Sequence, residues 1–183
     1  NTEHAANLFG LKEFGNIYSR LGNPTVGALE ARLTALEEGA MCVALSSGTS
    51  AVMYSLINIM SQGDNFVTAN QLYGGTYTMF DNILPEYGID SKKVDITDLA
   101  AVENAIDDKT RAIYCETITN PGLVVADISA LSEIAHSKGI PLIVDATFTT
   151  SAILKPFEYG ADIVVYSLTK WMSGHGRVIA GAV

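Results

Sequence analysis

Apolar runs alternate with stretches of helical periodicity along most of the chain. Asn23-Pro24 reads as a helix start, because an Asn side chain can accept from first-turn N–H groups and Pro suits the first helical position. Leu29, Leu33 and Leu36 recur at helical spacing, and Gly39 is placed to end that helix. Met41 to Leu45 then reads as a first buried strand, followed by the turn Ser46-Ser47-Gly48-Thr49 and an apolar helix from Ala51 to Met60. Further strands are predicted at Asn65–Ala69, Ile89–Val94, Arg111–Cys115, Ile140–Val144, Asp162–Tyr166 and Val178–Val183. Between them a helix is predicted from Tyr73-Gly74-Gly75 to about Leu84. Thr97 is placed to cap a second, with Leu99, Val102 and Ile106 on one face, and Asp127 to cap a third that ends at Lys138-Gly139. No internal repeat stands out.

Strands that are apolar without alternation have both faces covered. Strand–helix alternation then predicts a three-layer α/β/α domain around a mostly parallel seven-stranded sheet. In such a sheet ligands bind beyond the carboxyl ends of the strands, so the residues just after each strand carry the chemistry.

Composition narrows the possibilities. The chain has 183 residues, 48% of them hydrophobic and 17% charged, which excludes wholesale disorder and fits one domain with a sizeable core. The net charge of −9 argues against a nucleic-acid partner, since an acidic surface repels a phosphate backbone. No apolar run approaches the roughly 18 residues of a membrane span, and no signal-peptide pattern opens the sequence. Cys42 and Cys115 both sit in apolar strings and read as a buried, reduced pair in a cytoplasmic protein. The missing initiator Met and the stop at Val183 within an apolar run suggest a piece of a longer protein.

Four strand ends hold candidate chemistry. Ser47-Gly48-Thr49-Ser50 leads into a helix, where free backbone N–H groups bind phosphate; taken alone it is an ordinary Ser-capped turn. Asn120, in Glu116-Thr117-Ile118-Thr119-Asn120-Pro121-Gly122, is either a ligand-binding amide or Asn-Pro turn chemistry. Asp145 could hold a protonated ring nitrogen or serve as a loop carboxylate, and a metal is disfavoured because no second ligand clusters nearby. Lys170, in Ser167-Leu168-Thr169-Lys170-Trp171, is either a surface lysine or a Schiff-base lysine just past a buried strand. His175 reads as loop structure. Together a phosphate turn, an acid and a lysine at the mouth of one sheet are the set that pyridoxal 5′-phosphate (PLP) requires.

Six ordered motifs carry a family resemblance from Tyr18 to Val183. They are Tyr-Ser-Arg-Leu-Gly-Asn-Pro-Thr (18–25), Ser-Ser-Gly-Thr-Ser-Ala (46–51), Leu-Tyr-Gly-Gly-Thr-Tyr (72–77), Glu-Thr-Ile-Thr-Asn-Pro (116–121), Ile-Val-Asp-Ala-Thr-Phe (143–148) and Ser-Leu-Thr-Lys-Trp-Met-Ser-Gly-His-Gly (167–176). The sequence resembles the Cys/Met-metabolism family of fold-type I PLP enzymes, whose large domain it would form. The resemblance implies that Lys170 forms the Schiff base and moves protons, that Asp145 pairs with the pyridine nitrogen, and that Tyr73 stacks on the ring. It implies that Asn120 contacts the ring hydroxyl and that Gly48, Thr49, Ser167 and Thr169 hold the phosphate. It further implies that residues 1–24 form an arm carrying Tyr18 and Arg20 to a neighbouring subunit's cofactor, with 25–183 as the PLP-binding domain and the C-terminal small domain absent. A homodimer or homotetramer would follow.

Within the family, Tyr73-Gly74-Gly75-Thr76 and the Gly-His-Gly loop look most like the O-acetylhomoserine sulfhydrylases, which make homocysteine for methionine biosynthesis. Ala146 and Arg177 depart from the common pattern. The substrate would be a small amino acid, with free sulfide, a thiol or a sulfur-carrier protein as donor. The competing readings are a methionine γ-lyase or a cystathionine γ-synthase or lyase, and a non-catalytic cofactor-domain fragment. A Rossmann-like nucleotide module lacks its Gly-x-Gly-x-x-Gly turn here.

Overall fold

The computed structural model describes residues 1–183, which divide by their contacts into Asn1–Ala44 and Leu45–Val183. The first unit holds helices α1 (Thr2–Phe9) and α2 (Pro24–Glu37). Asn1 caps α1, and Glu13 ties the following turn back to it by accepting from Asn7 Nδ2 at 2.9 Å and bonding His4 Nδ1 at 2.8 Å. Periodicity does not signal this helix, and none of its residues is buried. Helix α2 starts as expected: Asn23 Oδ1 accepts from the N–H groups of Thr25 and Val26, with Pro24 first in the helix. Its end falls one residue early, because Glu38 itself takes the left-handed conformation (φ 56°) that Gly39 was expected to provide.

The second unit carries the sheet. Its strands are β1 (Ala44–Leu45, at the boundary of the two units), β2 (Asn65–Ala69), β3 (Asp90–Val94), β4 (Thr110–Glu116), β5 (Leu142–Asp145), β6 (Ile163–Ser167) and β7 (Gly181–Ala182). The order across the sheet is β1-β7-β6-β5-β4-β2-β3. The pairs β3–β2, β2–β4, β4–β5 and β5–β6 are parallel, and only β6–β7 is shown antiparallel. Helix α3 (Gly48–Ile57) packs on β6 and β7, while α5 (Leu99–Ala105) and α6 (Ile128–Ser137) pack on each other and on β3, β4 and β5. The result is the three-layer α/β/α fold with a mostly parallel seven-stranded sheet that strand–helix alternation predicts.

The central strands are buried end to end, as continuous apolar runs require: β2 and nearly all of β4 have no exposed side chain. The outer strands differ. Strand β3 reads Asp-Ser-Lys-Lys-Val and is only half-buried, because it lies at an edge where one side faces no partner. The first and last strands are shorter than their apolar runs: Met41 and Val43 precede β1 exposed, and Val178 and Ile179 precede β7 exposed. Gly181 brings β7 so close to the turn after β1 that a Cβ there would lie 2.1 Å from the Ser47 carbonyl.

The predicted helix after Tyr73 is a composite. Helix α4 (Gly74–Thr78) passes into a π turn over Met79–Ile83 and a 3₁₀ turn over Leu84–Tyr87, ended by Gly88 in the left-handed region. Asp98, not Thr97, caps α5, because Thr97 instead donates its N–H and hydroxyl to Asp95 Oδ1. Asp127 caps α6 as predicted, and a short helix α7 (Thr150–Ile153) follows β5. Both cysteines are free thiols. Cys115 is buried as expected, with burial pushing it up to about 12, whereas Cys42 is only half-buried and is pushed up to about 11 by burial and the nearby Glu30.

The π turn puts Phe80 into the core. Its ring meets Phe66 of β2 edge-on at 4.7 Å and Tyr114 of β4 edge-on at 5.1 Å. This stack joins the helical crossover to two central strands and seats the Tyr114 ring below the mouth of the sheet. Phe80→Ala is therefore expected to lower the unfolding free energy by roughly 3–5 kcal/mol. Chemical denaturation monitored by far-ultraviolet circular dichroism measures this directly.

Candidate active site

The carboxyl ends of β4, β5 and β6 meet the start of α3 around a cavity of about 670 Å³. Its wall comes wholly from residues 45–183 and brings together Gly48, Thr49, Tyr73, Asn120, Asp145, Ser167, Thr169 and Lys170. These are eight of the ten residues singled out from the sequence. The other two, Tyr18 and Arg20, lie in the first unit, where the Arg20 guanidinium stands 5.5 Å from the centre of the Tyr18 ring. His175 is not part of the wall, although Gly174 and Gly176 beside it are.

One end of the cavity is built for an anion. Ser47 caps α3 by accepting from Ser50 N, and Ala51 N–H donates to the Ser47 carbonyl. The N–H groups of Gly48 and Thr49 are left without a partner and are the open donors of this helix start. Both alternatives for the motif thus hold together, because the Ser cap is what leaves these two donors free. Gly48 has a steric reason: a Cβ there would lie 2.4 Å from the Ser167 Cβ and 2.8 Å from its Cα. The Ser167 hydroxyl stands beside this turn, with its own N–H donating to Thr147 Oγ1 at 2.7 Å. The Thr169 hydroxyl is already engaged, donating to the Ala180 carbonyl and accepting from the Ala180 N–H.

The floor is acidic. Asp145 ends β5, where its Oδ1 accepts from Thr147 N–H at 2.9 Å and its Oδ2 accepts from the Tyr114 hydroxyl at 3.3 Å. Burial raises its pKa against those hydrogen bonds, so the site favours a positive partner beside it. Tyr114 is itself pushed far above the ordinary phenol range, by burial first and then by the charges of Asp145 and Glu116. Lys170 follows β6 on an exposed turn, and its ammonium makes no hydrogen bond or ion pair in the protein.

Glu116 was named in the sequence only as part of a motif, yet it is central here. It ends β4 in register with Asp145 on β5 and is only 5% exposed. Its Oε1 accepts from Tyr73 N–H at 2.7 Å and its Oε2 from Asn120 N–H at 3.0 Å. Burial and the charge of Asp145 raise its pKa to about 7, against the lowering effect of those two N–H groups. Tyr114 and Thr147 were not singled out from the sequence either. An acidic residue closing an apolar strand was the available signal for Glu116, the same signal that picked out Asp145.

The fit to PLP follows from this donor set. A free amine, a half-buried acid, an aromatic ring and two open helix-start N–H groups beside a hydroxyl share one wall, at a separation set by adjacent strands. The residues would hold the phosphate at Gly48, Thr49 and Ser167, the ring nitrogen at Asp145 and the carbonyl carbon at Lys170.

Comparison with known proteins points to the same cofactor. The Cys/Met metabolism PLP-dependent enzyme family matches residues 1–183. An O-acetyl-L-homoserine sulfhydrylase of Leptospira meyeri is 48% identical over 183 residues, covering 100% of this chain and 41% of the relative. An L-methionine gamma-lyase of Fusobacterium nucleatum is 46% identical over 184 residues, covering 100% and 47% respectively. Among solved structures, a Campylobacter jejuni protein assigned as an O-acetylhomoserine (thiol)-lyase superposes with a TM-score of 0.93 at 43% identity, over 100% of this chain and 45% of that one. That structure carries an N′-pyridoxyl-lysine-5′-monophosphate. The chain spans less than half the length of these relatives.

The raised Glu116 pKa has a consequence for stability. Between its ordinary value of 4.5 and about 7 the folded protein keeps a proton that the unfolded chain releases. Stability from this group is therefore full at low pH and is lost as pH rises through that window. With cofactor-free protein, the denaturation midpoint of the wild type is expected to fall relative to Glu116→Gln between pH 5 and pH 7.5. A difference that stays constant across that range would contradict the assignment.

Proposed function

The chain belongs to the Cys/Met-metabolism family of PLP-dependent enzymes, and from that premise we propose that the full-length protein exchanges the acetate of O-acetylhomoserine for a sulfur nucleophile, giving homocysteine. The observation that carries this reading is the 48% identity to an O-acetyl-L-homoserine sulfhydrylase over 183 residues, 100% of this chain. A γ-lyase acting on methionine is the second reading, favoured by the 46% identity to an L-methionine gamma-lyase.

Bound PLP supplies an electron sink for negative charge at the substrate α-carbon. The protein's own groups do the rest. The Lys170 amine, free of ion pairs, takes the α-proton and returns protons at neighbouring carbons. Asp145 would keep a proton on the ring nitrogen, and its hydrogen bonds from Tyr114 and Thr147 hold its two oxygens in place. Tyr73 would stack on the cofactor ring and Asn120 would contact its hydroxyl, both from the cavity wall. The Gly48 and Thr49 N–H groups and the Ser167 hydroxyl would anchor the phosphate in the cavity that Lys170 also lines. At the γ-carbon the C–O bond to acetate breaks and a C–S bond to sulfide forms, with one proton of hydrogen sulfide leaving with the acetate and the other staying on the homocysteine thiol.

Residues 1–24 are proposed as the arm that carries Tyr18 and Arg20 to the phosphate site of a neighbouring subunit. The aromatic–guanidinium contact between these two residues supports their acting as a unit. A dimer would then be the smallest active assembly.

The test is to supply full-length protein with O-acetylhomoserine and sulfide and to follow homocysteine and acetate. Both are expected in equal amounts, and Lys170→Ala is expected to lower turnover by at least about a hundredfold. Absence of homocysteine would overturn the sulfhydrylase reading. Release of a thiol from methionine at a comparable rate would favour the lyase, for which added thiol changes the rate and not the product.

A further inference from the structure

We propose that Glu116 is a positioning residue of the cofactor site, one carboxylate that fixes the backbone of Tyr73 and the backbone of Asn120 to the end of β4. The inference rests on the reading above that Tyr73 and Asn120 face the cofactor ring. Its basis is geometric. Tyr73 opens α4 without any side-chain cap of its own, and Asn120 sits on an exposed turn four residues beyond β4. Neither is held by the sheet. The Tyr73 N–H and the Asn120 N–H converge on the two oxygens of one buried side chain, at 2.7 and 3.0 Å. That side chain is in register with Asp145. The three ring contacts are thereby set relative to one another by adjacent strands and a single carboxylate, and not by three independent loops.

A simpler role, filling space at the end of a strand, does not account for a carboxylate here. A neutral side chain would avoid the desolvation cost and the repulsion from Asp145, which together hold the Glu116 pKa high. Two N–H donors approaching from separate segments need two acceptors a fixed distance apart, and an ionised carboxylate is the side chain that offers them. An amide presents one oxygen and one NH₂, so it satisfies one donor and opposes the other. Protonation has the same effect. The titratable groups that face Glu116 are Asp145 on β5, Tyr114 and Cys115 on its own strand, Tyr73 on the turn before α4, and Lys170 across the shared cavity.

The test uses full-length protein labelled with ¹⁵N at tyrosine and asparagine. In cofactor-free wild type, the Tyr73 and Asn120 amide signals are expected to shift together with one midpoint as pH is raised from 5 to 8. In Glu116→Gln that shared transition should vanish. PLP titration of the same samples should then give a dissociation constant about tenfold weaker in the variant, the loss of one good hydrogen bond, with a smaller visible circular-dichroism band from the bound cofactor. Independent midpoints for the two amides in the wild type would overturn the proposal without any variant, so a variant that fails to fold leaves it testable. Unchanged PLP affinity and an unchanged dichroic band in Glu116→Gln would also overturn it, reducing Glu116 to a structural group. If the underlying ring assignment fails instead, PLP leaves the wild-type Tyr73 and Asn120 signals unmoved while the shared pH transition persists, and the clamp then has no role toward the cofactor.

Discussion

Two carboxylates side by side at the mouth of a buried parallel sheet set the terms for this protein. Parallel strands place residues in register on the same face, so Glu116 and Asp145 are forced together by the pairing of β4 with β5. Burial raises the pKa of both, and the charge of Asp145 adds to the rise at Glu116. The surroundings answer with donors: Tyr73 and Asn120 N–H to one, Thr147 N–H and the Tyr114 hydroxyl to the other. What remains uncompensated is a preference for positive charge, which a protonated ring nitrogen beside Asp145 would supply. A site of this kind is less stable empty than filled, and the core beneath it has to carry the difference. The edge-on stack of Phe66, Phe80 and Tyr114 is the part of that core in direct connection with the acids.

Around this pair the other contacts are backbone features. The open helix start depends on a Ser47 side chain that caps its own helix and so leaves the Gly48 and Thr49 N–H groups open. It depends equally on a missing side chain at Gly48, without which β6 and α3 could not approach. A second close approach lies at Gly75, where a Cβ would meet the Tyr73 ring at 2.7 Å. The position of that ring is thus bounded from two directions, by the Glu116 carboxylate on its backbone and by the bare α-carbon of Gly75 under its edge.

Much of this was legible in the sequence, and the reasons are specific. Continuous apolar runs mark β2 to the residue and β4, β5 and β6 to within two residues, because central strands are buried on both faces. Asn23 and Asp127 were readable as caps because their side chains bond the next N–H groups in the chain, a local event. Strands β1 and β7 were overestimated because apolar composition does not say where pairing stops; β7 pairs with β6 through only Ala182 and Gly181. The composite turn after α4 was hidden because π and 3₁₀ turns share the spacing of an ordinary helix over a few residues. In the site, the lysine, the acid and the Ser47-Gly48-Thr49 turn were visible because each lies at the end of a strand or begins within three residues of it. The roles of Glu116 and Tyr114 were not, since both act across 31 to 43 positions of sequence, through contacts that exist only once the strands have assembled.

The two margins of the sheet have a further consequence. One is closed by β3, five residues of which two are lysines, one held by Asp107 and one by Asp81. The other is closed by β1, two residues long. Neither offers an incoming strand a long, flat, uncharged ladder of N–H and C=O groups. A chain with apolar strands this continuous carries an intrinsic hazard of cross-β assembly while it folds, and these blunt margins are what a finished sheet has to turn it aside. A partner meeting this sheet would therefore have to engage side-chain surfaces, where shape and charge select what binds.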